Sequence, residues 1–188
     1  SSLVGSEMCI RDRDQEAARV PIGANRLLYL PYLMGERSPK LDPDARGVFF
    51  GLSAIHTKYD MLRAVLEGVI YSQRECLDIL RGMGVVSSEM LACGGGGTSP
   101  LWRQMMADVY NLPVRTSSSK EGPALGVAIL AGVAAGVYES VPAACRKLVH
   151  ASEPQAPIAE NHEAYEPFYR LYCQLYPALK DAFKTLGR

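Results

Sequence analysis

From Met61 onward the apolar residues return at three- and four-residue steps: Met61, Leu62, Val65, Leu66, Val69, Ile70, Cys76, Leu77 and Leu80. This spacing keeps one face of a helix apolar and predicts a long amphipathic helix ending at Gly82 or Gly84. Its start is also marked. Thr57 with Asp60 three residues on forms a capping signal, and Asp60 in the first turn complements the helix dipole. The same period returns near the C-terminus. There Tyr165, Phe168, Tyr169, Tyr172, Leu175, Tyr176, Leu179 and Phe183 predict a terminal helix whose aromatic stripe packs into a core. A shorter stripe, Leu101, Met105 and Val109 beside Trp102 and Met106, predicts a third helix, with Ser99 as N-cap and Pro100 at the first helical position.

Between the helices lie short runs read as strands: residues 26–33, broken by Pro31, 47–52, 89–93, and 112–119, the last leaving into a polar loop. "GERSPKLDPDARG" after the first and "SEPQAPIAENH" before the terminal helix read as loops. From Gly122 to Tyr138 no residue is charged. The run is built largely of Ala and Gly, too weakly hydrophobic for a membrane span, and predicts a buried helix with Gly122, Gly126 and Gly132 near one face.

Composition narrows the classes. At 188 residues the chain is long enough for one domain with a core, and 48% apolar with 21% charged residues is ordinary for a globular protein. Twenty basic residues balance twenty acidic ones, so neither a nucleic-acid groove nor a membrane anchor is expected. The five cysteines are odd in number and form no C-x-x-C pair, which argues against a disulfide framework or zinc site and for a reducing, cytoplasmic compartment. Residues 1–13, "SSLVGSEMCIRDR", fit nothing downstream and are expected to be a non-native or disordered leader, with the domain at 14–188.

The chemistry concentrates in "LACGGGGTSPLWRQ", residues 91–104. A strand, a glycine run and a helix start present bare amides and a positive dipole end to an anion. The run is neither a P-loop nor a dinucleotide fingerprint, so any cation must come from elsewhere. Trp102 reads as a packing anchor for its helix rather than an adenine platform.

Gly47, Phe49, Gly51, Leu52, Asp60, Met61 and Ala64 to Glu67 match, position by position, a signature of the FGGY carbohydrate kinases. "CGGGGTSPLWRQMMADVYNLPV" resembles the second nucleotide loop of that family, and "GPALGVAILAG" its small-residue helix. "LPYLMGERSPKLDPDARGVFFGL" is most similar to the xylulokinase branch. Cys93, Gly97 and Thr98 depart from the usual wording of the loop.

The resemblance implies an α/β fold of the actin, hexokinase or ribonuclease H-like type, a mixed sheet with flanking helices. This chain would be the C-terminal, nucleotide-side half of a two-domain kinase whose N-terminal domain is missing. It implies ATP and Mg²⁺, with Gly94, Gly95 and Gly96 at the phosphates and Ser99 as a polar contact. The reaction implied is phosphorylation of a sugar hydroxyl, foremost that of D-xylulose at C5. Gluconate, ribulose, fuculose and glycerol stay open, as does a non-catalytic actin-like nucleotide-binding module. The expected catalytic Asp lies upstream, so no catalytic or metal-binding residue is assigned here and the isolated chain is expected to be inactive. A homodimer is left open.

Glu36 and Arg37 are candidate cleft-facing residues, weighed against a structural ion pair. Asp42 and Asp44 read as members of a solvated loop and Asp60 as support for a helix start. His56, His150 and His162 have no partner at catalytic spacing and read as surface or loop residues.

Overall fold

The computed structural model describes residues 13–117 and 122–187. They form two compact units, the first comprising the chain up to Val86, Asp108–Asn111 and the segment from Pro157, the second Ser87–Ala107 and Leu112–Ala156. Twelve of the thirteen leader positions lie outside the described residues; residues 13–19 are helical, α1.

In the first unit, β1 (Leu28–Leu30) pairs antiparallel with β2 (Val48–Phe50), Leu28 facing Phe50 and Leu30 facing Val48. Strand β1 stops before Pro31, as expected, because Pro31 has no N–H to continue the ladder. Helix α2 (Lys58–Gly82) starts where the sequence marks it. The Thr57 hydroxyl accepts the N–H of Tyr59 and Asp60, and the Asp60 carboxylate accepts the Thr57 N–H at 2.6 Å. Gly68 lets α2 lie on β1, since a Cβ there would overlap the Tyr29 carbonyl.

Helix α6 (Ala159–Leu186) begins six residues before the aromatic stripe, inside the segment read as loop. Its cap comes from another part of the chain: Asp108 accepts the Ile158 N–H and the Asn161 amide, both at 2.8 Å. That explains why local sequence does not reveal the start. Tyr165, Tyr169 and Tyr172 of α6 surround Tyr71 of α2, with ring centroids 5.4 to 6.3 Å apart. Such tilted and edge contacts suit the aromatic quadrupoles, and the stripe is core, as expected.

In the second unit, β3 (Met90–Ala92) runs parallel to β4 (Val114–Thr116), Met90 opposite Val114. Between them lie a 3₁₀ turn (Gly95–Thr98) and α3 (Pro100–Tyr110), whose last turn is shared with the first unit. Met105, Met106 and Val109 are buried, as the stripe predicts. Helices α4 (Gly122–Ala134) and α5 (Val141–Leu148) follow. The sequence reading omits α5, although Ser140 caps it by accepting the Ala143 N–H.

Helix α4 differs from expectation. Only Ile129 is buried among the described residues, and Val127 and Leu130 are 67% and 61% exposed. Within this unit α5 is the neighbouring helix, and it covers one side. Of the three glycines only Gly132 meets a close neighbour, the Tyr138 ring; Gly122 and Gly126 face open space. Their absent side chains therefore serve no packing against the described residues. No described helix is long and apolar enough to cross a membrane.

Candidate functional site

The glycine run leaves β3 by a conformation that side chains resist. Gly94 has φ +78° and ψ −169°, a region open essentially to glycine alone. A Cβ at Gly94 would meet nothing within 4 Å. The chain then tightens: the Gly97 N–H donates to the Gly94 carbonyl at 3.2 Å and the Ser99 N–H to the Gly96 carbonyl at 3.4 Å. Neither the Gly94 nor the Gly96 N–H donates to another described residue. Gly94, Gly95, Gly96 and Ser99 thus lie together on one turn that leads into α3.

The glycines are required for different reasons. A Cβ on Gly96 would overlap Cζ3 and Cε3 of Trp102, and one on Gly97 would sit 3.0 Å from the Ala92 carbonyl oxygen. Among the described glycines of this loop, Gly94 combines a forced conformation with an open side. Trp102 is half-buried against the loop, in keeping with a packing role.

The first turn of α3 holds the loop. Ser99 Oγ accepts the Trp102 N–H at 3.2 Å, which makes Ser99 the N-cap and Pro100 the first helical residue. The Arg103 guanidinium donates to the Gly97 carbonyl at 3.0 Å. That clamp is not marked by any motif. No carboxylate occurs between Leu91 and Gln104, so an anion would meet amides and a helix start without like-charge repulsion.

Glu36 and Arg37 belong to the other unit. The two oxygens of Glu36 accept the N–H groups of Ser38 at 2.9 Å and Lys40 at 2.7 Å, so this carboxylate shapes its own loop. No ion pair joins it to Arg37 among the described residues, and Arg37 is exposed. The loop is pinned by Lys40 to Glu75 at 2.7 Å and by the Tyr176 hydroxyl donating to Asp42 at 2.7 Å. Asp42 is consequently buried, not solvated, and its carboxyl lies below the usual range because Tyr176 and backbone donors favour the anion. His162 is also not a loose surface residue: it sits half-buried on α6, 2.9 Å from the Asp108 carbonyl.

The signature helix carries a cluster that its spacing could have disclosed. Arg63 and Glu67, four residues apart on α2, pair at 2.7 Å with both side chains buried. Glu67 Oε1 also accepts the Gly23 N–H, and Arg63 donates to the Tyr165 hydroxyl and the Ala17 carbonyl. Burial pushes the Glu67 carboxyl up to about 7 against the opposing pull of Arg63. Among the described residues, no three His, Cys, Asp or Glu side chains converge on a metal position.

Residues 10–135 match the sequence profile of the C-terminal domain of the FGGY family of carbohydrate kinases. The chain belongs to this family. It is 39% identical over 165 residues to a xylulose kinase of Staphylococcus epidermidis, covering 88% of this chain and 33% of that protein. It is 38% identical over 178 residues to a gluconokinase of Bacillus licheniformis, covering 91% and 33%. The crystal structure of ligand-bound xylulose kinase from Lactobacillus acidophilus superposes with a TM-score of 0.85 at 30% identity, over 94% of this chain and 36% of that one. This FGGY chain therefore spans about a third of the length of such relatives. Its fold is the mixed α/β, actin-like half expected for the family, with helices flanking small sheets.

Proposed function

We propose that the Gly94–Ser99 turn holds the phosphates of ATP, and that the kinase to which this chain belongs phosphorylates a sugar hydroxyl, foremost that of D-xylulose. The observation that carries the reading is Gly94: a glycine-only conformation, open to solvent, directly before an N-capped helix in an FGGY chain. Phosphoryl transfer of this kind is chiefly positioning and charge stabilisation. The turn would bind and orient the phosphates by backbone amides. Mg²⁺, when bound, neutralises phosphate charge. The carboxylate that takes the hydroxyl proton is expected outside this chain, so the chain alone should bind nucleotide without turnover. The free cysteines Cys76, Cys93, Cys145 and Cys173 fit a cytoplasmic location.

Xylulose is favoured by the names of several relatives, and gluconate is the second reading because gluconokinases match nearly as well. Two measurements test the proposal. Calorimetry of the chain with ADP should show binding that Gly95→Val abolishes while circular dichroism is unchanged; unaltered binding removes the site. A phosphorylation screen on the full reading frame should rank D-xylulose first, and a preference for D-gluconate would replace the substrate.

A further inference from the structure

The positions of Gly96 and Trp102 carry a consequence for the loop beyond packing. The indole edge occupies the volume that any side chain at 96 would need, with Cη2 3.0 Å from the place of a Cβ. Trp102 is the third residue of α3, and its own N–H is held by Ser99 Oγ. The next residue, Arg103, clamps the Gly97 carbonyl. Ring, cap and guanidinium therefore act on three successive parts of one turn, from the helix that follows it. Gly94, at the start of the same loop, stays open.

We propose that Trp102 is a positioning residue for the phosphate-binding turn: its indole, seated on Gly96, holds the bare amides in one arrangement before a phosphate arrives. This rests on the nucleotide reading above. The ring faces the loop backbone, so its effect is on phosphate groups and not on the base. Preorganisation of this kind acts on affinity by removing the ordering cost at binding.

The test uses the whole chain with ADP and adenosine as probes. Trp102→Ala should weaken ADP binding about tenfold and leave adenosine binding unchanged. Trp102→Phe, which keeps an aromatic ring, should recover most of the ADP affinity. Gly96→Ala should also weaken ADP binding, but should cost nothing further when added to Trp102→Ala, because the methyl group then has room. Unchanged ADP affinity in Trp102→Ala, with the wild type binding normally, overturns the positioning role alone. Equal losses for ADP and adenosine make the ring a base contact and overturn it too. A wild-type chain that binds neither probe overturns both the nucleotide reading and this inference.

Discussion

The carboxylate of Glu67 accepts the N–H of Gly23 at 3.1 Å, joining residues 44 positions apart in the sequence. Gly23 opens four successive residues with positive φ, followed by Ala24 at +47°, Asn25 at +55° and Arg26 at +71°. Such a left-handed turn costs energy at every non-glycine residue and persists only where its surroundings impose it. Glu67 imposes it at one end. Asp60 does so at the other by accepting the Asn25 amide at 2.7 Å. Gly23 itself is required, since a Cβ would overlap the Phe168 ring.

This pairing sets a pH dependence. Glu67 is raised from 4.5 to about 7 in the fold, mainly by burial, with Arg63 opposing. Between those values the folded state holds a proton that the unfolded chain has lost, so this group's contribution falls as pH rises from about 4.5 to about 7. Chemical denaturation across that window should show a downward slope, and Glu67→Gln should flatten it. Glu67→Ala, which leaves Arg63 buried and unpaired, should cost about 3–5 kcal/mol.

The α2 cap has the opposite sign. Hydrogen bonds from Thr57 hold the Asp60 carboxyl below its usual range, so its contribution is present above that range and lost as pH falls through the lowered value. Thr57→Ala should destabilise by about 1 kcal/mol at neutral pH, read by urea unfolding. The difference should shrink in acid as Asp60 is protonated.

The 36–42 loop depends on Tyr176. Tyr176→Phe removes the donor to buried Asp42 and should cost about 1–3 kcal/mol. Hydrogen exchange should speed up at Asp42 and Asp44, while exchange in α2 stays slow.

Trp102 is the single tryptophan, so its fluorescence reports on the glycine turn without a ligand. Gly96→Ala should move the emission to longer wavelength, as the methyl group drives the ring toward water. Gly94→Ala strains the backbone but faces open space and should leave the emission in place.

Sequence pattern alone determined the elements whose cues are local. The period from Met61 to Leu80, the Thr57–Asp60 box, Ser99 and Pro100 located α2 and α3 to within a residue or two, and the ordered motifs placed the chain among the FGGY kinases. These signals act within one or two helical turns, so they survive without knowledge of the fold. The start of α6 is fixed by Asp108, 50 residues before Ile158, and Asp42, in a loop, is held by Tyr176 of the same helix. Which glycines serve packing and which stays open was likewise decided only in three dimensions. A missing Cβ has meaning only once the atom that would collide with it has been brought into place.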